Sequence, residues 1–118
     1  MLASRGEIRI HEILEMNGLN FKEEYIVPGL NSPNGKPLRF DFAVFDDDGN
    51  LDFLIEYQGR QHYEASNKFG GKRGLYQQQF NDNKKRRYCA LHDIRLIEIP
   101  YTDENLVDYD YIMKRAGY

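Results

Sequence analysis

Six side chains have types and spacing that could let them act together: Glu7, Asp41, Glu56, Gln58, His62 and Asp82. Asp41 and Glu56 lie in two apolar runs, LRFDFAVF and LDFLIEYQ, on either side of an Asp48-Gly49 dipeptide. If these runs pair as antiparallel strands, Asp41 comes level with the Glu56 to Gln58 end of the second. Two carboxylates and an amide oxygen in one small volume suit a hard divalent cation such as Mg²⁺. That ion usually takes one or two carboxylates from protein and fills its other positions with water and substrate oxygen. His62 follows closely. Its imidazole titrates near neutrality and can take a proton from water, and a carboxylate behind it, here Asp82, would fix its tautomer and stabilise the cation. Each feature also has a plainer reading: polar residues on one side of a half-covered sheet often just face solvent, and a lone His after a strand is usually structural.

The elements that must position these groups can be read from periodicity. Strand residues alternate between faces. Leu38 to Phe45 therefore places Phe40, Phe42 and Val44 on one face and Asp41 on the other. Leu51 to Gln58 places Phe53, Ile55 and Tyr57 together, with Glu56 and Gln58 opposite. Asp48-Gly49 predicts a hairpin turn of the primed type. Ser4-Arg5-Gly6-Glu7 is a capping box, so a helix is expected from about Ser4 to Asn17-Gly18, burying Ile10, Ile13 and Leu14. Glu7 shares the face of Leu14 and points towards the sheet. It can return to the Ser4 amide, orient a metal-bound water or ligand, or do both. His11, one turn on, is expected to be a partly exposed helix residue.

An acid inside one apolar strand, a turn, and a second strand ending in Glu-x-Gln resemble the PD-(D/E)XK nuclease core. Asp41 matches the first acid and Glu56 the second, while Gln58 stands at the Lys position and Phe40 where the Pro would be. Glu7, Asp41, His62 and Asp82 further resemble the Glu-Asp-x-His-Asp pattern of very-short-patch repair endonucleases and certain phage homing endonucleases. The similarity runs from Glu7 to about Ile99. It implies a restriction-endonuclease-like α/β fold and a DNA endonuclease dependent on Mg²⁺ or another divalent cation, with Asp41 and Glu56 as metal ligands. Glu7, Gln58, His62 and Asp82 would complete the catalytic set. It also implies double-stranded DNA as partner and sequence reading by a further DNA-binding region or through a homodimer; the cytoplasm of a bacterial or phage-infected cell is expected from the single cysteine, Cys89, and the lack of a leader-like start. Gln58 removes any Lys-based activation of water, which favours His62 as the base; Lys84 or Lys85 could restore the positive charge.

A length of 118 residues bounds the chain to one domain, and 41% hydrophobic residues argue for a packed core. The single cysteine, Cys89, excludes an internal disulfide and is expected to pack as a small residue in a helix. MLASRGEIRI lacks a basic start followed by an apolar run, so no leader is expected, and no stretch approaches membrane-spanning length. The net charge of −3 counts against a simple nucleic-acid binder. Bases nevertheless gather between Arg60 and Arg87, where Arg60, Lys68, Lys72, Arg73, Lys84 and Lys85 are candidates for holding a phosphate backbone. The glycine-rich part of that region, up to Gly74, reads as a mobile clamp or as an ordinary solvated loop.

Phe21 to Val27 is expected to be the first strand of a three-strand meander, followed by a turn-rich loop, LNSPNGKP, that serves as a connector or rests on DNA. Leu75 to His92 predicts a helix with Tyr76, Phe80, Tyr88 and Leu91 on one face and Asp82 and Lys85 elsewhere. Ile94 to Tyr101, nearly continuous in apolar character, predicts a central or parallel strand. Thr102-Asp103 would cap a last helix running to about Arg115 and packing through Leu106, Ile112 and Met113. The expected order is helix, three strands, helix, strand, helix around a mixed sheet. Besides the homing-type endonuclease, a repair-type nickase or junction resolvase and a decayed, binding-only nuclease module fit the same residues.

Overall fold

The computed structural model describes residues 4–118. Met1, Leu2 and Ala3, on which part of the leader expectation rests, lie outside the described residues. The chain folds as α/β: α1 (Arg5–Met16), β1 (Asn20–Asn31), β2 (Pro37–Phe45), β3 (Leu51–Gln58), α2 (Gly71–Leu91), β4 (Arg95–Pro100) and α3 (Tyr109–Arg115), with 3-10 turns at Arg60–His62, Asn67–Phe69 and Tyr101–Leu106. The sheet order is β1-β2-β3-β4; the first three strands form an antiparallel meander and β4 runs parallel to β3. β4 is thus parallel, but it is an edge strand rather than a central one. Its apolar residues are covered from both sides, Ile97 and Ile99 on one face and Leu96 on the other.

Each face of the sheet has its own core. Ile10 and Leu14 of α1, Val107 and Ile112 of α3 pack with Phe42, Val44, Phe53, Ile55, Tyr57, Ile97 and Ile99. On the other face Cys89 of α2 packs with Val27, Leu30, Leu38, Phe40, Ala43 and Leu54. Phe40 therefore does not share a face with Phe42 and Val44 as strict alternation predicts. The β2–β3 pairing runs from Phe45 to Phe42 opposite Ile55, and Phe40 lies beyond the point where it stops.

Local chemistry explains the other departures. β1 continues past Val27 because a register shift between Ile26 and Asn31 absorbs Pro28 and Gly29, and an edge strand tolerates a missing N–H. The β2–β3 turn is not of the primed type. Of its residues only Gly49 has positive φ, at 83°, and its N–H donates to the Asp46 carbonyl at 3.0 Å. This is the type I turn with a left-handed glycine found in three-residue hairpin loops, and the Asp46 carboxylate secures it by accepting from the Asp48 and Asn50 N–H groups. α2 begins at Gly71, so Lys72, Arg73 and Gly74 are helical; a Ser66–Gly71 bridge joins the preceding turn to its start. The last helix is divided. Val107 is extended and buried, its carbonyl accepts from Arg9 Nε at 2.7 Å, and Asp108 starts α3 by accepting from the Tyr111 N–H at 2.7 Å.

α2 also faces the opposite way from its apolar stripe. Tyr76, Phe80 and Leu91 are 69%, 55% and 77% exposed, Tyr88 is partly buried, and the residues buried under the helix are Asp82 and Cys89. Among the described residues no helix is long and apolar enough to cross a membrane.

Gly6 sets how closely α1 approaches the sheet: a Cβ there would lie 2.2 Å from the Tyr57 ring. Gly6→Ala adds helix propensity of up to about 1 kcal/mol, but it overpacks a buried contact, which costs about 1–3 kcal/mol. The second effect should win. Urea unfolding is expected to show a net loss of stability of up to about 2 kcal/mol; a raised midpoint would show that α1 does not sit this close to β3.

Candidate metal centre

Beyond Phe42 and Ile55 the ladder between β2 and β3 gives way to side-chain bonds. The Asp41 N–H donates to Glu56 Oε2 at 3.1 Å, and the Tyr57 N–H donates to Asp41 Oδ2 at 2.7 Å. The two carboxylates take the places of the backbone acceptors, so both lie at the point of divergence.

Asp41 meets two further acids there. Glu23 and Tyr25 of β1 pair with Phe42 and Phe40, which puts Glu24 opposite Asp41. Glu24 has φ of 53°, a left-handed conformation uncommon outside glycine and one that clusters at functional sites. Glu7 arrives from the first turn of α1, where its N–H donates to Ser4 Oγ at 3.2 Å and its Oε1 accepts from the Ser4 hydroxyl at 2.9 Å. The Glu7 carboxylate thus takes the Ser4 hydroxyl rather than the Ser4 amide, and one of its oxygens also lies near Asp41. One carboxylate oxygen from each of Glu7, Glu24 and Asp41 lies within 4.8 Å of the others, so this group could hold a metal ion. The span is of the order of the roughly 4–5 Å between oxygens on opposite sides of a hard cation.

Glu56, expected as a ligand beside Asp41, is not one of the three. Its Oε1 accepts from Lys85 Nζ, and Lys85 also lies 5.5 Å from the centroid of the Phe40 ring. Removal from water of both partners makes this pair depend on its geometry. Asp41 is the carboxyl that feels the crowding most. Burial, then the Glu56 charge, and more weakly Glu7, push it up to about 9, against the pull of the Tyr57 N–H. A divalent cation would relieve this crowding, and the all-oxygen donor set fits one.

Gln58 is buried but points away from Asp41. Its Nε2 donates to Glu98 Oε1 at 2.7 Å and its Oε1 accepts from the Tyr63 hydroxyl at 2.7 Å. Glu98 also accepts from Arg86 Nε at 2.8 and 2.9 Å. The amide is therefore used structurally and does not replace the Lys of the nuclease pattern; Lys85 is the cation that reaches Glu56.

His62, on the 3-10 turn after β3, meets Asp82 of α2: Nδ1 and Oδ2 are 2.8 Å apart, and Gln78 Nε2 donates to the other carboxylate oxygen at 3.3 Å. Gln78, Asp82 and Lys85 occupy one inward stripe of α2 at helical spacing. His62 is thus held through Nδ1 by Asp82. A cavity of about 240 Å³ opens here, lined by Gln58, His62, Tyr63, Gln79, Asp82, Asn83 and Arg86.

The basic candidates divide. Arg60, Lys68, Lys72 and Arg73 are exposed, Arg60 resting 5.3 Å from the Tyr101 ring centroid. Lys84 and Lys85 instead turn inward, Lys84 to the Asn31 carbonyl and Lys85 to Glu56, so neither belongs to an exposed clamp. The sequence-level set lacked Gly6, Glu24, Glu98 and Arg86. Gly6, a poor helix former inside a capping box, was a readable signal; Glu24 offered none, because its place depends on β1 register and backbone.

No family model matches the chain, and no solved structure matches it. The chain is similar to three viral proteins. It is 39% identical to "Uncharacterized protein 094L" of Frog virus 3 (isolate Goorha) over 82 residues, 68% of this chain and 50% of that protein. It is 34% identical to "Uncharacterized protein 307L" of Invertebrate iridescent virus 6 over 87 residues, 72% of this chain and 44% of that protein. A shorter match, 43% over 49 residues, is to "Uncharacterized protein 033L" of Invertebrate iridescent virus 3, covering 41% of this chain and 25% of that protein. The chain spans half or less of the length of these curated relatives.

Because Asp41 holds its proton more tightly folded than unfolded, the folded state gains a proton between the ordinary carboxyl value of 3.8 and about 9. That contribution is complete below the lower value and lost as pH rises through the upper one. Tm without metal should therefore fall from pH 5 to pH 9, and Asp41→Asn should flatten the slope. Proton and cation compete for the same oxygens, so Mg²⁺ or Mn²⁺ should raise Tm more at pH 8.5 than at pH 6. A wild-type slope identical to that of Asp41→Asn would refute the assignment of Asp41.

Proposed function

We propose that this chain is a Mg²⁺-dependent DNA endonuclease domain with a restriction-endonuclease-like core, and that it is the cutting part of a homing-type enzyme. The observation that carries this reading is a chain of contacts: the Glu7, Glu24 and Asp41 carboxylates lie within 4.8 Å of one another, the Asp41 N–H bonds Glu56, Glu56 pairs with Lys85, and one turn away on α2 Asp82 pairs with His62. Successive turns of α2 supply Asp82 and Lys85, which supports one site rather than two.

Glu7, Glu24 and Asp41 would hold the cation, which when bound supplies positive charge for the scissile phosphate and acidity for a water. His62, its Nδ1 oriented by Asp82, accepts a proton from the attacking water at Nε2. Lys85, paired with Glu56, offers positive charge to the phosphate. Arg60, Lys68, Lys72 and Arg73, all exposed, hold the backbone of the duplex. The greater length of the viral relatives leaves room for a separate sequence-reading region, and dimerisation is the other route to a long target. A second reading, a repair-type nickase or junction resolvase, is favoured by Tyr76 and Phe80, whose exposed rings suit stacking on bases displaced from a duplex.

Supercoiled plasmid should be nicked with Mg²⁺ and remain intact with EDTA. Asp41→Ala should abolish cutting, and His62→Ala should slow it by about 10²–10⁴-fold. Cutting that survives Asp41→Ala would sink the metal-centre assignment.

A further inference from the structure

His62 ends a single turn of 3-10 helix, Arg60–His62, whose own hydrogen bonds have the poorer geometry of that helix type. The His62 N–H donates to the Gly59 carbonyl and the Tyr63 N–H to the Arg60 carbonyl, both at 3.0 Å. The firmer contacts come from outside the turn. Tyr63, the residue after His62, donates its hydroxyl to Gln58 Oε1 at 2.7 Å and rests its ring 5.7 Å from that of Tyr101. Gln58, buried at the end of β3, donates through Nε2 to Glu98 of β4, and Glu98 accepts in turn from Arg86 of α2. Arg86 lies one turn beyond Asp82 on the same helix. α2 therefore reaches the His62 turn twice: through Asp82 at the imidazole, and through Arg86, Glu98 and Gln58 at Tyr63.

We propose that Gln58 and Tyr63 are positioning residues, which fix the turn so that the His62 imidazole keeps its bond to Asp82. The direction of the tie follows from the groups in it. A carboxylate only accepts, so Glu98 takes the Nε2 end of the Gln58 amide, and this leaves Oε1 to accept from the Tyr63 hydroxyl. Burial leaves the amide no choice of other partners, because a buried polar group that loses its hydrogen bond costs free energy. The residue at the Lys position of the nuclease pattern thus acts on the base rather than on the water. The inference rests on the nuclease reading for the role of His62 as base, but its first readout does not use cutting.

The measurement is the tautomer of the neutral His62 ring, read by NMR through its two ring nitrogens in the metal-free chain. In the wild type the proton is expected at Nδ1, facing Asp82. Tyr63→Phe removes one hydroxyl from a side chain that is 47% exposed, so it should fold with a urea midpoint close to the wild-type value. Gln58→Leu replaces the amide by a group of similar size, and Tyr63→Phe alone decides if that variant does not fold. In each, the share of the Nδ1–H form should fall, since a loosened imidazole divides its proton between both nitrogens. The double variant should fall no further than either single one, because both cut one path. Where plasmid is nicked, Tyr63→Phe should lower kcat several-fold with KM unchanged. A proton at Nε2 in the wild type, or an Nδ1–H share unchanged in Tyr63→Phe, would overturn the tie. If the share falls but the wild type nicks no plasmid, the nuclease reading falls and the positioning role stands; if plasmid is nicked and the share is unchanged, the tie falls alone.

Discussion

The polar end of this molecule depends on one exchange of hydrogen bonds. Past the Phe42–Ile55 pair, β2 and β3 no longer bond backbone to backbone. The Glu56 carboxylate accepts the Asp41 N–H, and the Asp41 carboxylate accepts the Tyr57 N–H. The strands can then spread without leaving buried donors unpaired, which would cost more than the lost ladder bonds. The result is two acids fixed within a mostly apolar sheet. Asp41 bears the cost in charge, and its carboxyl is pushed up to about 9 by burial and by Glu56.

Once those acids are in place, the rest of that sheet face must answer them. Glu56 and Glu98 are paired across β3 and β4, with Gln58 beyond Glu56, so three polar side chains occupy the surface that α2 covers. α2 answers with Lys85 for Glu56, Arg86 for Glu98 and Asp82 for His62. Its buried stripe is polar for most of its length and becomes apolar only at Cys89, where it meets Leu54 and Ala43. Burying Asp82 and Lys85 alone would be prohibitive, and each is buried against a partner. The aromatic rings at Tyr76 and Phe80 are left in solvent as a consequence.

The opposite face does the ordinary work of stability. Ile10, Leu14, Val107 and Ile112 close over the branched and aromatic residues of the sheet, and this core brings the first turn of α1 against Tyr57. Glu7 reaches Asp41 only because Gly6 has no side chain.

Much of this was legible in the chain itself. Two apolar runs around Asp48-Gly49 placed the β2–β3 hairpin, though not its turn type or the face of Phe40, the capping box placed α1, and the order of elements followed from periods of two and 3.6 residues, because these patterns reflect local backbone geometry. The approach of Asp82 to His62 was also foreseeable, since it needs only that the helix after β3 fold back over the sheet. Three features were decided by tertiary structure alone. Glu24 joins Asp41 through strand register and a left-handed backbone at one residue, neither of which composition records. Asp103 to Arg115 is divided because Val107 must enter the core. The apolar stripe of α2 faces outward because the surface beneath it is charged, and pairing buried charges outweighs covering exposed rings.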